Sequence, residues 1–594
     1  MTLISGGQII FNNLIKHKVN TAYLYSGGAI MPLINCFYKQ HDIKYYINTN
    51  EQNLGHSATG YARSIGKPGI CIVTSGPGLT NLITPMLDAQ NDSTPLIVLS
   101  GQVTKDAMGT QAFQEAPAVE LTKVFTKWSY CVKETDELDH VMNKAFKIAM
   151  DGKKGVVHID LPKCVLSNKI SQNSILKFNK TKEKLDSLGQ YNINIKTQLG
   201  KYETYEDIKH ISYIVNNSEK PVLCIGQGCN DYSQELTKYA IDSNIPVTTT
   251  LHAVGVFNET HPLSLKFMGM HGSAFANKAL QESDCIIAIG SRFDDRTIGT
   301  KDTYAPAAKA AYKDKKGGII HVNIDKQIFN SVIRTNYNVN LDSGIFLNEM
   351  LKYNQYNDRK PWLNTINNWK NKYPFKYDED DYIIYSQDVI KELNKQIVDK
   401  SNYIFTSGVG NHQMFAAQFI DFQYPKSFIT SGSMGVMGFG LPAAIGVSIG
   451  NPDKTVIDID GDGSFLMTLS DLKTVHQYDL KNLKILVLNN KTLGMVDIWE
   501  KLFYENRITA TDNTYAPSFS NVAKSFGLKN LTCTKKNDLS NTIKTFLESD
   551  GPILCEINTS HTPCFPLVVP GKALDEMFLW DSVIEIDKNN LPPS

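Results

Sequence analysis

The sequence has no excess of either charge. Lysine plus arginine number 60, and so do aspartate plus glutamate, which removes any electrostatic reason to expect nucleic acid or an anionic membrane as partner. It has no apolar run approaching the roughly 18 residues that mark a membrane span. The start, Met1–Gly7, lacks a basic stretch followed by an apolar one and is not an Arg-rich amphipathic leader. No export or organelle signal is therefore expected, and the chain is expected in the cytoplasm. The ten cysteines form no CxxC pair and no dense cluster. Single cysteines inside apolar runs, as in Gly69-Ile70-Cys71-Ile72-Val73, read as buried thiols of a reducing compartment rather than as zinc ligands or disulfides. There is no low-complexity tract and no short-period repeat. A hydrophobic share of 42% with 20% charged residues excludes a disordered chain, and 594 residues leave room for several domains.

Two stretches share one grammar. In the first, a small-residue helix over Gly55–Ile65 stops at Gly66; a buried strand Ile70–Thr74 follows, then the turn Ser75-Gly76-Pro77-Gly78, a helix and the strand Leu96–Ser100. In the second, the helix Gly440–Gly450 leads to the strand Thr455–Ile459, the loop Gly461-Asp462-Gly463, a helix and the strand Lys484–Leu488. Short apolar runs bounded by Gly and Pro, alternating with helical segments, indicate parallel sheet in α/β units. Three further runs of this kind, Pro221–Ile225, Asp284–Ile289 and Gly318–Asp325, define a middle α/β domain. The expected fold is three doubly wound parallel-sheet domains at 1–165, 201–350 and 383–560. Residues 166–200, polar and Asn/Lys-rich, and 351–382, charged and aromatic, read as linkers.

The segment with most chemistry is Gly461-Asp462-Gly463-Ser464-Phe465, followed after a helix and an apolar strand by Asn489-Asn490. One carboxylate and one amide at successive strand ends converge on the carboxyl edge of a parallel sheet, where open α/β sheets bind ligands. Hard oxygen donors carrying little charge suit Mg²⁺, which usually borrows phosphate oxygens, and glycines let backbone N–H groups approach a diphosphate. An ordinary Gly-Asp-Gly turn beside a chance Asn pair is the plainer alternative. Gly438-Phe439-Gly440-Leu441-Pro442-Ala443 fits the dinucleotide pattern GxGxxA, but no buried strand runs directly into it.

The pairing of Asp462 with Asn490 resembles the signature of enzymes dependent on thiamine diphosphate (ThDP). The wider chain resembles acetolactate synthase catalytic subunits. That likeness rests on four blocks: Tyr25–Ile30; Thr74–Gly78 through Thr110–Glu115; Gly269–Gly272 continuing to Gly290–Arg296; and Gly408–Met414 continuing to Gly494–Trp499. The resemblance implies a pyrimidine-binding first domain, a middle domain of FAD-binding type, a diphosphate-binding third domain and a tail, 561–594, over the active site. It implies Mg²⁺ held by Asp462, Asn490 and the main-chain oxygen of Thr492. Glu51 would set its carboxyl against the pyrimidine ring nitrogen and so promote proton removal from the thiazolium. Gly28, Phe113, Gln114 and Lys163 would line the reaction centre, and Tyr25, Pro77 and Asn81 would contact the pyrimidine. Gly410, Asn411, His412, Gly435, Gly461, Gly463 and Ser464 would face the rest of ThDP, with Met437 bending it and Met467 and Met495 packing on it. Arg296 would fork onto the carboxylate of a second keto acid, and Trp499 would shape the pocket for its alkyl group. FAD would contact Lys153, Gly226, Gly228, Thr250, Leu251, His271, Gly290, Arg292, Asp294 and Asp325.

The activity so implied is decarboxylation of pyruvate and transfer of the two-carbon unit to pyruvate or 2-ketobutyrate, as in branched-chain amino acid biosynthesis. It implies a homodimer or homotetramer with sites at the subunit interface, and room for a small regulatory subunit. The chain departs from the family pattern at several places: Lys153 where Arg is usual, Asn323 for an acidic residue, Asn411 for Gln, Cys164 for Asp and Ser26 for Pro. The first two bear on FAD. Competing expectations are another ThDP carboligase, decarboxylase or oxidase, and an inactive cofactor-binding scaffold. Retained Arg296 and Trp499 oppose the first; retained Glu51, Asp462 and Asn490 oppose the second.

Overall fold

Strands buried on both faces need no polar alternation, and the apolar runs bounded by glycine and proline do form such strands. In the computed structural model, which describes residues 3–187 and 205–581, they build three six-stranded sheets with all neighbours parallel. The first sheet holds Thr21–Leu24, Lys44–Tyr46, Gly69–Val73, Leu96–Gln102, Trp128–Cys131 and Val156–Pro162. Numbered along the chain, these stand in the order 2-1-3-4-6-5. The third sheet holds Tyr403–Ser407, Phe428–Thr430, Thr455–Gly461, Leu483–Asn489, Lys529–Cys533 and Ile553–Asn558 in that same order. The repeated grammar is a repeated topology.

The middle sheet differs. Pro221–Ile225, Val247–Thr249, Ser264–Phe267, Cys285–Ile289, Gly318–Val322 and Tyr337–Val339 stand in the order 3-2-1-4-5-6, the doubly wound arrangement that binds dinucleotides where the order reverses. The loops leaving that point begin at Gly226 and Gly290. They lie so close that a methyl group on Gly290 would stand 2.7 Å from the Gly228 Cα.

The first and third domains meet through helices of small residues, Glu51–Ile65 and Gly440–Gly450. The Ser57 hydroxyl donates to the Pro442 carbonyl at 2.7 Å. A methyl group on Gly446 would collide with the Ser57 carbonyl, and one on Gly60 with that of Ala443. The GxGxxA stretch thus opens a helix buried against another helix, which leaves no approach for a nucleotide there. Buried Asp471 of the third domain accepts from Asn48 Nδ2 (2.7 Å) and from the Thr49 N–H and hydroxyl (both 2.9 Å). The chain just before Glu51 is thereby fixed to the third domain.

The middle and third domains meet at Glu259, which is fully enclosed. One carboxyl oxygen accepts the Phe422 N–H at 3.0 Å, and the other has no partner. Burial pushes this carboxyl up to about 7, with Lys266 opposing. The folded chain therefore binds a proton that the unfolded chain releases near the ordinary glutamate value. Stability falls as pH rises through that window, by on the order of 3 kcal/mol, and is flat above it. Glu259→Gln should flatten this dependence: relative to the parent, its melting temperature is expected to gain more at pH 8 than at pH 5. Equal differences at the two pH values would refute the assignment.

The two stretches read as linkers are partly ordered elements. Residues 166–200 open in the helix Lys163–Ser167 and the strand Lys169–Ser171, which pairs antiparallel with Leu3–Ser5. The helix Gln172–Ser187 follows, and the remainder lies outside the described residues. Within 351–382, the helix Lys360–Lys372 buries Trp362 and Ile366 in the middle domain's core. Arg359, just before it, is buried and donates to the carbonyls of Ser243, Val215 (3.0 Å) and Ser218 (3.4 Å). Among the described residues, no helix is long and apolar enough to cross a membrane.

Candidate active site

The first-domain candidates all follow carboxyl ends of its strands: Tyr25 and Gly28 after the first, Glu51 after the second, Pro77 and Asn81 after the third, Phe113 and Gln114 after the fourth, Lys163 after the sixth. Glu51 is buried at the first position of its helix, whose cap is Asn50 (Asn53 N–H to Oδ1, 2.8 Å). Its Oε2 accepts from Asn81 Nδ2 at 2.9 Å. Asn81 is placed by the short helix Pro77–Thr80, which Gly76 starts with φ +60°. A side chain on Gly76 would meet the Gln114 carbonyl at 2.9 Å. Gln114 itself has φ +62°, and its loop is held from below. Glu115 accepts the N–H groups of Gly109 and Ala112 (3.2 Å), while Gln102 Nε2 donates to the Ala116 carbonyl and to Asp160, each at 3.0 Å. Phe113, at the loop's tip, is 88% exposed. Gly28 faces open space, and Lys163 is exposed.

The third domain builds a complementary half. Gly410, Asn411 and His412 follow its first strand, Gly435 and Met437 its second, Asp462, Gly463, Ser464 and Met467 its third, and Asn490, Thr492 and Met495 its fourth. His412 packs so closely on Gly461 that a methyl group there would lie 2.5 Å from Nδ1, and its Nε2 stands 3.3 Å from Asp460. Ser464 Oγ accepts the Gly438 N–H at 2.9 Å. A methyl on Gly463 would stand 3.5 Å from the Met437 Cε. Asp462 accepts from Asn513 Nδ2 at 2.7 Å. Burial pushes its carboxyl up to about 6, with the Asn513 hydrogen bond opposing. Asn490 Oδ1 accepts the Thr492 N–H at 3.2 Å. A methyl group on Gly494 would meet Asn411 Nδ2 (3.0 Å), Asn490 Nδ2 (3.1 Å) and His561 Cε1 (3.2 Å), so these three side chains converge. Met467 is 60% exposed, whereas Met495 packs partly into the domain's own core.

The donors fit an oxygen-seeking ion bound with a diphosphate. Both polar atoms of the Asn411 amide are buried without a partner, an unmet demand whose N–H half phosphate oxygen would answer. Asp462 is a desolvated carboxylate at the end of one strand and Asn490 follows the neighbouring strand, the kind of oxygen donors Mg²⁺ takes together with phosphate. Among the described residues, no group of three His, Cys, Asp or Glu side chains could hold a metal.

The remaining candidates lie on the middle domain and the C-terminal segment. Arg296 is 63% exposed beside Asp295 (3.8 Å), with Nη1 3.1 Å from the Met270 sulfur. Trp499 stacks edge-on with Phe503 at 5.1 Å, and Phe503 in turn stands 6.3 Å from Phe578. The segment after residue 561 reaches both neighbourhoods: the Val568 N–H donates to the Met270 carbonyl at 2.8 Å. It also buries Val568 and Leu574 in the middle domain's core; residues 582–594 lie outside the described residues.

Several residues read as FAD contacts already have protein partners. Asp294 caps its own helix (Thr297 N–H, 3.1 Å), and Asp325 accepts the Gln327 N–H (3.0 Å) and pairs with Lys153 (3.7 Å). Arg292 donates to the Asn91 carbonyl (2.6 Å) and Ser433 Oγ (2.7 Å). His271 Nδ1 lies 3.2 Å from the carbonyls of Cys564 and Pro566, and burial lowers the ring to about 4. The Thr250 N–H is tied to the Ile225 carbonyl (2.8 Å), and Leu251 packs on the third domain's core. On the strand next to the point where the order reverses, the buried Thr249 hydroxyl is unpartnered.

Sequence reasoning missed Asn513, Asp497 and His561. Asp497 joins His561 Nε2 at 2.7 Å and Lys501 at 2.8 Å, just behind Asn490 and Asn411. Lys501 lies one helical turn from Asp497, but nothing local signals Asn513 or His561, because their partners Asp462 and Asp497 are far away in the chain.

This order of modules, with a half-site at each end, defines a thiamine pyrophosphate enzyme. Family models match for its N-terminal TPP binding domain at residues 4–121, central domain at 208–350 and C-terminal TPP binding domain at 408–557. The chain is 40% identical to the mitochondrial acetolactate synthase catalytic subunit of Saccharomyces cerevisiae, over 99% of this chain and 85% of that one. Against the mitochondrial acetolactate synthase of Schizosaccharomyces pombe it is 39% identical, over 98% and 87% of the two chains. Against the chloroplastic enzyme of Arabidopsis thaliana it is 36% identical, over 96% and 84%. The chain belongs to the acetolactate synthase family.

Proposed function

We propose that the chain is an acetolactate synthase. It decarboxylates pyruvate and joins the two-carbon unit to a second 2-keto acid, pyruvate or 2-ketobutyrate, using ThDP and Mg²⁺ and carrying FAD in the middle domain. The observation that carries this reading is the pair of half-sites. Glu51 and Asn81 end one sheet; Asn411, Asp462 and Asn490 converge at the matching edge of another. Each half takes its partners from its own domain, so two copies of the chain are proposed to complete a site. Exposed Phe113 and Met467 would then be covered.

When bound, ThDP supplies a carbanion equivalent that adds to a keto carbon and holds the electrons left by CO₂. Glu51 exchanges a proton with the pyrimidine nitrogen. Asn411 and the backbone at Gly410 and Gly461 hold the diphosphate, and Asp462, Asn490 and the Thr492 carbonyl hold the ion. Arg296, whose guanidinium is largely exposed beside Asp295, grips the acceptor's carboxylate. Trp499 limits its alkyl group; a methylene there is worth only about 1–3 kcal/mol, so both acceptors are used. The ten free cysteines suit a reducing compartment such as the cytoplasm, and a small regulatory subunit is a proposed partner.

The test is direct. The purified chain with pyruvate, ThDP and Mg²⁺ is expected to yield acetolactate and CO₂, and omission of FAD in parallel to reduce the yield. Absence of acetolactate from the fully supplied enzyme would overturn the reading.

A further inference from the structure

Asp92 ends the helix Ile83–Asn91 of the first domain and is almost fully buried. All three domains meet on it. From the third, the N–H groups of Gly432 (3.1 Å) and Ser433 (3.0 Å) and the Ser433 hydroxyl donate to its carboxylate. From the first, Arg63 donates at 2.7 Å, and its other nitrogen binds the Thr430 carbonyl at 2.5 Å. From the middle domain, His252 Nε2 stands 3.1 Å away. Arg292, also of the middle domain, donates to Ser433 Oγ at 2.7 Å. Burial alone would raise the Asp92 carboxyl, but His252 and Arg63 hold it well below the usual carboxylate range. It is a fixed anion and has no proton to offer.

What it holds matters. Ser433, Met434 and Gly435 stand exposed, so little packing fixes them. The segment leading to Met437 hangs from the Asp92 clamp at Gly432–Ser433, the Val436 N–H bond to Ser431 Oγ (2.9 Å) and the Gly438 N–H bond to Ser464. A short exposed segment goes where its anchors put it.

We propose that Asp92 is a positioning residue for the coenzyme, clamping Gly432 and Ser433 so that Met437 is presented to ThDP. The inference rests on the reading that ThDP lies on this loop. Asp92→Asn in the full-length holoenzyme keeps the shape but removes the charge. It is expected to raise the ThDP dissociation constant by about tenfold, the effect of weakening charge-assisted hydrogen bonds. Ser433→Ala should raise it severalfold, and Ser433→Thr, which keeps the hydroxyl, should restore it. Glu259→Gln is the control: it too neutralises a buried carboxyl between domains, yet it should leave ThDP affinity unchanged. Titration by quenching of intrinsic fluorescence reads all four. If Asp92→Asn binds ThDP within twofold of the parent, or shifts no more than Glu259→Gln, the proposal fails. If Asp92→Asn does not fold, Ser433→Ala with parental affinity overturns it. A parent that takes up no ThDP overturns the underlying reading as well, which separates the two failures.

Discussion

Glu51→Gln is expected to cut acetolactate formation by about 10²–10⁴-fold, the usual worth of a positioned proton-transfer group, while ThDP stays bound. Glutamine has the same length and keeps an oxygen for the 2.9 Å bond from Asn81. The helix start does not depend on the carboxyl, because Asn50 caps it, and the preceding residues are pinned by Asp471. The substitution therefore removes the ability to exchange a proton and little else. ThDP uptake, followed by fluorescence quenching, should match the parent within a few-fold. Parental turnover in this variant would show that the proton passes by another group, and the catalytic assignment of Glu51 would be wrong.

Much of this arrangement was legible in the chain. Buried parallel strands announce themselves as apolar runs closed by glycine, and the loop that follows such a strand must lie at the sheet's carboxyl edge. Asp462 and Asn490 were therefore placed by their distance from strand ends, whereas Pro77 and Gln114 came from the resemblance to the family. The Gly66 stop also has a local cause: it is left-handed at φ +74° and closes the helix onto the Ala62 carbonyl. What stayed hidden depends on partners far away in sequence. The helix Lys360–Lys372 buries little more than Trp362 and Ile366, too thin a stripe to stand out among lysines and asparagines. Nothing near Asn513 points to Asp462, and nothing near Asp92 points to Ser433, 341 residues on. The likeness to a family could name Arg292 and Asp294 as nucleotide contacts. It could not show that Arg292 is engaged in holding Ser433, or that Asp294 caps its own helix.

Asp462→Asn is expected to lower the affinity for ThDP in the presence of Mg²⁺ by about a hundredfold or more, since losing even an outer partner of a metal site costs about 10–100-fold. The isosteric amide has a single oxygen in place of two, which accepts from Asn513 or faces the ion; the site also loses its charge, and Mg²⁺ sheds water reluctantly for neutral donors. Stability should move the other way. Burial pushes the Asp462 carboxyl up to about 6, so at pH 8 the folded chain holds an anion that the unfolded chain would solvate better; a neutral amide relieves that cost. The ligand-free variant is therefore expected to melt at or above the parent's temperature, while the rise in melting temperature on adding ThDP and Mg²⁺, large in the parent, should nearly vanish. Chelating the metal from the parent should reproduce the same loss. A variant that melts lower without ligand but keeps the full rise with ligand would show that Asp462 serves the fold and that the ion is held elsewhere.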